Sequence, residues 1–370
     1  MKEQKKLVWP DYENCIANLP NSILKKWKIP TIGGTLALAD KYLQKDYKNV
    51  VVLILDGMGK LVLEEALDEE GPFRSHLAGI FNSVFLSTTV AATTSAMSGL
   101  QPCEHGWLGW DCYYPQVDKN VTVFLNTVQG TDEPAADYSL AWSVTPYENV
   151  VTTINKAGGK AYGCAPFLEP FPKSIEEICS RIKELCEESD SKYIYAYWNQ
   201  PDEDLHDNGC KSIVVKETLK NIEMVVNRLA EGLEDTLLIV TADHGHIDTD
   251  YVVLQDYPKI CDCLIRMPSL EPRVLNFFIK DDKKDIFEKE FKKEFGDKFL
   301  LMPMEDAIKK NLFGTGKHHE NFRAMLGDYL AIATDNLTIY FTDERGLTMH
   351  GSLTEEEMLI PLITFECVGI

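Results

Sequence analysis

The run from Asn49 to Leu55 (NVVVLIL) constrains the fold more than any other part of this chain. Six apolar residues follow one another in it without a polar interruption. A strand with one face in water alternates apolar and polar residues, so an unbroken run indicates a strand that is covered on both faces. Strands of that kind are typical of parallel sheets with helices on both sides.

Strand and helix patterns alternate along the first two thirds of the chain. Further strands are predicted at 192–198 and 236–241, with weaker patterns at 82–86 and 159–165. Helices are predicted at 171–188, where Ser174 is a candidate cap, and at 211–233. This alternation predicts an α/β fold in which helices sandwich a mostly parallel sheet.

The composition changes after Asp250. A strand pattern at 273–280 and helix patterns at 285–294 and 304–310 predict a small α+β insertion. The patterns at 328–333 and 337–341 then predict a return to the main sheet. We therefore expect a core made of residues 1–254 and 321–370, and an insertion at 255–320 that covers the functional site as a cap.

The charge of the chain excludes some partners. Its 37 Lys and Arg against 58 Asp and Glu give a net charge of −21, which argues against nucleic acid and anionic membranes. Small anionic substrates stay open, because a bound divalent metal inverts the local field. No stretch reaches 18 apolar residues and no signal-peptide pattern is present, so no membrane contact is expected. Ten scattered cysteines without a CxxC pair predict reduced thiols and a cytoplasmic location.

Acidic and histidine side chains follow several of the predicted strands. Asp56 comes directly after the first strand, where a carboxylate is costly unless it is paired or bound to metal. Asp202 and His206 follow the strand at 192–198 at a spacing of four residues, which places both on one face of a helical turn. The alternatives are a turn aspartate for Asp56 and a solvated acidic turn for the other two.

Two more segments add to this set. Asp243 and His244 come directly after the apolar strand at 236–241, and this is the strongest single signal in the chain. His246 is a weaker candidate there, in a supporting or surface position. His350 precedes a helix start with a capping-box pattern, Thr354 to Glu357. Taken alone, His350 reads equally well as a surface histidine.

Three aspartates and three histidines can form two sites of three ligands each. Mixed nitrogen and oxygen ligands suit zinc, with manganese as the alternative. Three protein ligands leave open coordination positions, as catalytic sites do. Two metals about 4 Å apart bind both oxygens of an in-line phosphoryl displacement. The expected cofactor is therefore two divalent metal ions.

A nucleophile is sought among the hydroxyls at the start of the predicted helix that follows Ser87. A hydroxyl there lies at the positive end of the helix dipole, and metal coordination lowers the pKa of such a group. The alternative from composition alone is that these Ser and Thr residues only cap the helix.

Five segments together resemble the alkaline phosphatase superfamily, and most closely its type I phosphodiesterase/nucleotide pyrophosphatase branch. They are LILDGMG, STTVAATTSAMSGLQPCEHGWLGW, NQPDEDLH, VTADHG and MHGSLTEEEMLIPL, in the order of the family, across about residues 50 to 365. The resemblance implies one metal bound by Asp202, His206 and His350, and another bound by Asp56, Asp243 and His244. It also implies Thr89 as the nucleophile, with Thr88 and Ser87 as the neighbouring alternatives.

Two positions depart from the resembled branch. Its nucleotide pyrophosphatases have an asparagine that helps to hold a phosphoryl oxygen, where this chain has Trp110. A second asparagine, three residues after the nucleophile, is replaced by Ala92. Nucleotide substrates are therefore not implied. Trp107 and Trp110 are candidate walls of the substrate pocket, with buried packing as the alternative.

The resemblance implies a two-metal phosphohydrolase, a phosphodiesterase or pyrophosphatase, that acts through a phospho-threonine intermediate on a small phosphorylated substrate. Phosphomonoesterase, phosphonate hydrolase and phosphomutase activities of the same superfamily are the alternatives. An alternative of another class is a metal-binding or phospho-ligand-binding protein without catalysis. The sequence does not predict an oligomeric state.

Overall fold

The computed structural model describes residues 5–341 and 345–368. Its strands are β1 (Asn49–Leu55), β2 (Leu77–Asn82), β3 (Asp111–Tyr114), β4 (Lys119–Thr122), β5 (Thr127–Val128), β6 (Ala161–Cys164), β7 (Lys192–Trp198), β8 (Thr236–Thr241), β9 (Ile247–Asp248), β10 (Asp250–Val253), β11 (Ser269–Glu271), β12 (Val274–Phe277), β13 (Phe299–Pro303), β14 (Tyr329–Ala333), β15 (Leu337–Tyr340), β16 (Thr348–Met349) and β17 (Leu359–Cys367).

Its α-helices are α1 (Asn18–Lys26), α2 (Ala37–Leu43), α3 (Lys60–Ala66), α4 (Pro72–Ser75), α5 (Thr89–Ser98), α6 (Pro102–His105), α7 (Leu140–Val144), α8 (Val150–Lys156), α9 (Ile175–Glu187), α10 (Asp202–Asn208), α11 (Ile213–Glu231), α12 (Pro258–Cys261), α13 (Lys284–Phe295), α14 (Met304–Lys309) and α15 (Glu355–Met358). No helix in the two described ranges is long and apolar enough to cross a membrane.

A six-stranded sheet in the order β2-β17-β8-β1-β7-β6 forms the centre of the larger core. Strands β8, β1, β7 and β6 run parallel, and β17 runs antiparallel between β8 and β2. Every residue of β1 and β8 is buried, as the apolar runs predicted. Helices α1, α5 and α8 contact one another, and α9 and α11 form a second group. The predicted α/β fold is therefore confirmed.

The long helices begin and end near the predicted residues because local signals define their starts. The hydroxyl of Ser174 accepts a hydrogen bond from the amide of Glu177 (3.2 Å), so α9 begins at Ile175 and not at residue 171. Ser212 caps α11 in the same way, and the two helices pack together through their apolar faces. The weak strand pattern at 82–86 was wrong, since β2 ends at residue 82.

A second sheet, in the order β13-β14-β12-β11-β3-β4-β5, is antiparallel throughout. It includes β14, which the pattern at 328–333 predicted, whereas β15 pairs with β10 in a separate two-stranded sheet. The expected return of these two segments to the main sheet was therefore wrong. The division into 1–254 with 321–370 and 255–320 stays a prediction; the second sheet also draws strands from residues 111–128.

Candidate active site

The candidate ligands lie at one edge of the central sheet. Parallel strands β7, β1 and β8 are neighbours, so the loops that follow them carry Asp56, α10 and Asp243 to the same edge. Strand β17 runs antiparallel to β8, and its start therefore brings the preceding segment with His350 there as well. This is the edge at which open α/β sheets bind ligands.

Three histidines surround the carboxylate of Asp202. Its Oδ1 lies 2.6 Å from Nε2 of His246, 3.7 Å from Nε2 of His206 and 3.8 Å from Nε2 of His350. One donor atom from each of these four residues lies within 4.8 Å of the others. The structure thus brings Asp202, His206 and His350 together as predicted from the resemblance, and adds His246 to them.

A second group surrounds His244. Its Nε2 lies 3.3 Å from Oδ1 of Asp56 and 3.5 Å from Oδ2 of Asp243. Donor atoms of Asp56, Asp202 and His244 also lie within 4.8 Å of one another. Asp202 therefore lies between the two groups, and the predicted ligands form one continuous cluster with two centres.

Hydrogen bonds from the surrounding chain orient the aspartates. The amides of Gly57 and His244 donate to Oδ1 of Asp243 (3.1 and 3.0 Å), and the hydroxyl of Tyr197 donates to Oδ2 of Asp56. Gly57 has φ +73°, and a Cβ there would come within 2.9 Å of the His246 ring. Only glycine therefore allows the chain after β1 to approach this histidine so closely.

Each of two buried carboxylates has one oxygen without a hydrogen-bond partner among the described residues. Oδ1 of Asp56 and Oδ2 of Asp243 accept no hydrogen bond within the described ranges. Burial raises the pKa of both groups well above the usual value, and a neighbouring aspartate adds to the effect. A divalent cation would compensate these carboxylates, and the nitrogen and oxygen donors present suit zinc or manganese. The residues therefore fit the expected metals.

Burial also affects the histidines of the first group. It lowers the pKa of His350 well below the usual value and that of His246 to about 4, and neighbouring histidines act in the same direction. The pKa of Asp202 is well below its usual value; burial opposes this shift, but the surrounding histidines outweigh it. Neutral imidazoles and an ionised carboxylate are the forms that bind metal.

Thr89 is the candidate nucleophile that lies in this cluster. It is the first residue of α5, and its Oγ1 lies 3.1 Å from Nε2 of His244. The other two hydroxyls point to different partners. Ser87 donates to the carbonyl of Ser352 (2.7 Å), and Thr88 donates to Oε1 of Glu271 (2.5 Å). The geometry favours Thr89 over its two neighbours.

The two tryptophans have different surroundings. Trp107 is only 3% exposed, and its indole N–H donates to the carbonyl of Thr145 (2.8 Å). Its ring packs among aromatic residues, with centroid distances of 5.1 Å to Trp142 and 5.5 Å to Tyr147. Trp110 is half-buried, and its backbone amide donates to Glu271 (2.8 Å). Packing thus accounts for Trp107, while Trp110 stays the candidate pocket residue.

Two residues at this site escaped the sequence analysis. Tyr197, which contacts Asp56, shares one face of β7 with Tyr193 and Tyr195, and this alternation of tyrosines was the available signal. Glu271 lies in a strand of the second sheet, far from every motif in the sequence. No local pattern distinguishes it, because its neighbours come from other parts of the chain.

The sequence pattern of type I phosphodiesterases/nucleotide pyrophosphatases matches residues 50–352, which is most of the chain. The chain belongs to this family. Membership makes it a phosphoester hydrolase by relationship, and the matched range contains the first four segments and the start of the fifth, including His350. No curated protein matches the chain.

Solved structures share the fold. Murine ectonucleotide pyrophosphatase/phosphodiesterase 5, an inactive variant in complex with AMP, is 18% identical, with 86% of this chain and 87% of that one covered and a TM-score of 0.63. Phosphonoacetate hydrolase from Sinorhizobium meliloti, in complex with phosphonoformate, is 15% identical, with 87% and 90% covered and a TM-score of 0.63. At these identities the likeness shows the fold alone.

Proposed function

We propose that this protein is a two-metal phosphohydrolase, a phosphodiesterase or pyrophosphatase, that acts through a phospho-threonine intermediate. The observation that carries the proposal is the position of the Thr89 hydroxyl, 3.1 Å from His244 at the edge of a cluster of buried carboxylates and imidazoles. Asp202, His206 and His350 would hold one metal, with His246 beside them. Asp56, Asp243 and His244 would hold the other.

The chain's own residues divide the reaction into two displacements. Thr89 gives up its proton, and its oxygen forms a bond to phosphorus while the bond from phosphorus to the leaving oxygen breaks. The leaving oxygen takes up a proton and departs as the alcohol. Water then attacks the phospho-threonine, which releases the phosphate monoester and restores the hydroxyl. Bound divalent metals supply charge stabilisation and lower the pKa of the attacking hydroxyl.

A phosphodiester or pyrophosphate is the proposed substrate class because of the family to which the chain belongs. Phosphonate hydrolysis is the second candidate, since a phosphonoacetate hydrolase has the same fold over 87% of this chain. The murine structure is a complex with AMP, so a protein of this fold binds a small phosphorylated ligand, which supports a substrate of that class. Trp110 at the position of the family asparagine argues against a specific requirement for nucleotides.

A panel assay of the full chain tests the proposal. The protein is stripped of metal, reloaded with zinc or with manganese, and given a bis-aryl phosphodiester, an aryl phosphomonoester and phosphonoacetate. We expect the highest turnover on the diester, and loss of it when a chelator is added. Turnover of none of the three, with two metals bound per chain, would instead support a binding protein without catalysis.

A further inference from the structure

Glu271 is a buried carboxyl group that forms no ion pair with Lys or Arg in the part of the chain that the structure describes. It is the last residue of β11 and only 2% exposed. Its Oε1 accepts hydrogen bonds from the Thr88 hydroxyl (2.5 Å) and from the Trp110 amide (2.8 Å). Burial raises the pKa of this carboxyl to about 8, and the charge of Asp111 adds to the effect. Burying an acid costs folding free energy unless its oxygens are hydrogen-bonded, and here Thr88 and Trp110 donate those bonds.

Three segments of the candidate active site meet at this side chain. Thr88 stands at the N-cap position of α5, directly before Thr89, and its hydroxyl bonds to Glu271 and not to the helix. Trp110 is the candidate pocket residue, at the position where the resemblance implies the family asparagine. Gly351 follows His350, has φ +115°, and would bring a Cβ within 3.2 Å of the Glu271 side chain. The carboxyl of this second-sheet residue therefore binds the nucleophile segment and the segment with Trp110, and the Cβ and Cγ carbons of the same side chain lie beside the segment with His350.

The two hydrogen bonds fix the backbone on which Thr89 depends. The carbonyl of Thr88 accepts the amide of Ala92 (2.9 Å), the first helical bond at this end of α5. The Thr88 side chain, at the same residue, is bound to Glu271. A shift of Thr88 would therefore move the Thr89 hydroxyl relative to His244. A displacement of about 1 Å of a reacting group can lower the reaction rate by about 100-fold.

We propose that Glu271 is a positioning residue, which holds the start of α5 so that the Thr89 hydroxyl faces His244. This proposal rests on the proposed function for its effect on turnover, but not for its effect on structure. Glu271 acts through Thr88 and Trp110 and does not itself react. The positioning role requires an acceptor oxygen beside the Thr88 hydroxyl and the Trp110 amide. A glutamine can therefore replace Glu271, and an apolar side chain cannot.

The test compares Glu271→Gln with Glu271→Leu in the metal-loaded full chain. An amide oxygen can still accept both hydrogen bonds, so we expect Glu271→Gln to keep kcat within about threefold of wild type. Glu271→Leu leaves both donors unpaired, and we expect kcat to fall about 10–100-fold with little change in KM. Metal content stays the same in both variants. Hydrogen exchange at residues 88–93 accelerates only in Glu271→Leu.

Two further variants test whether Glu271 acts through Thr88. Thr88→Val removes one donor and leaves the carboxyl, and we expect faster exchange at residues 88–93 with at most about a tenfold loss of kcat. The double variant Thr88→Val/Glu271→Leu is expected to lose no more than Glu271→Leu alone, because both changes break the same contact. Additive losses would show that Glu271 does not act through Thr88.

The outcomes separate this proposal from the proposed function. If the wild-type chain turns over none of the phosphoesters and Glu271→Leu still accelerates exchange at residues 88–93, the proposed function is wrong and the positioning role stands. If Glu271→Leu shows the same hydrogen exchange at residues 88–93 and the same kcat as the wild-type chain, the positioning role is overturned. An equal loss of kcat in Glu271→Gln and Glu271→Leu would also overturn it, because the carboxyl group itself, and not an acceptor oxygen, would then be what the reaction requires.

Discussion

At the scale of single residues, the hydroxyl of Thr89 carries the proposed chemistry. Thr89→Ala removes the nucleophile and leaves all the proposed metal ligands in place, so we expect two metals per chain and a native fold. Turnover on the diester is expected to fall by several orders of magnitude, because only water is left to attack phosphorus. Steady-state kinetics and elemental analysis measure the two quantities on the same sample.

The matched control for this prediction is Thr88→Ala, which should reduce turnover far less. If Thr89→Ala keeps more than about a tenth of the wild-type rate, a difference of about 1.4 kcal/mol in the barrier, then Thr89 is not the nucleophile. The hydroxyl of Thr88 or Ser87, or direct attack by water, would then take its place.

His246 is the second residue whose contacts define a prediction. Its Nε2 lies 2.6 Å from Asp202, and its Nδ1 lies 2.9 Å from the hydroxyl of Thr348. A histidine in this position either binds the metal or orients the carboxylate that does, and the loss of such a group typically costs about 10–100-fold in metal affinity. We expect His246→Ala to lower zinc affinity by this factor in a competition with a chelator. His318, exposed after α14, is the control, and equal affinities of His246→Ala and His318→Ala would contradict the prediction.

At the scale of elements, a buried ion pair joins the second sheet to the segment that carries His350. Arg273, just before β12, donates from Nε and Nη2 to the carboxylate of Glu357 in α15 (2.7 and 2.9 Å). Both side chains are fully buried. Glu357 also accepts the amide of Ser352 (3.0 Å) and the hydroxyl of Thr354 (2.6 Å). The pair thus fixes the turn that directly follows His350.

Arg273→Met is therefore expected to destabilise the protein by about 3–5 kcal/mol, because it leaves the Glu357 carboxylate buried and unpaired. Urea denaturation of the metal-free chain measures the change. The double variant Arg273→Met/Glu357→Leu should lose less free energy of unfolding than the sum of the two single variants, since it leaves no buried charge without its partner. Strict additivity of the two losses would mean that the pair does not act as a unit.

The same elements show which parts of the fold could be predicted from sequence. Strands β1, β7 and β8 were predicted at their observed bounds, because a strand buried on both faces reveals itself in its own residues. The patterns of β14 and β15 were also recognised, but not their partners. Sheet membership depends on strands distant in sequence, and β14 lies between β12 and β13.

The residues of the candidate site could also be predicted only where the local sequence marks them. Aspartates and histidines directly after predicted strands could be found, because the parallel arrangement brings those ends to one edge. Glu271 could not, since its role arises from contacts with Thr88 and Trp110, more than 150 residues earlier in the chain. The weak candidate His246 gained its importance only when the fold placed it beside Asp202.

At the scale of the whole molecule, we expect the proposed metals to contribute to stability as well as to catalysis. Asp56 and Asp243 are buried, and each has an oxygen without a hydrogen-bond partner in the described part of the chain. A cation that binds the folded chain and not the unfolded one stabilises the fold by mass action, by about 2.7 kcal/mol at a free concentration of 100 times Kd. We expect the Tm measured by calorimetry to rise with zinc concentration and to fall when a chelator is added. Asp202→Asn replaces the carboxylate between the two groups by a neutral amide, so the Tm of this variant should depend less on zinc concentration. His318→Ala should keep the dependence of Tm on zinc. The same Tm in zinc and in chelator would mean that the cluster of carboxylates and imidazoles is stable without a metal, and the two-metal proposal would then fail.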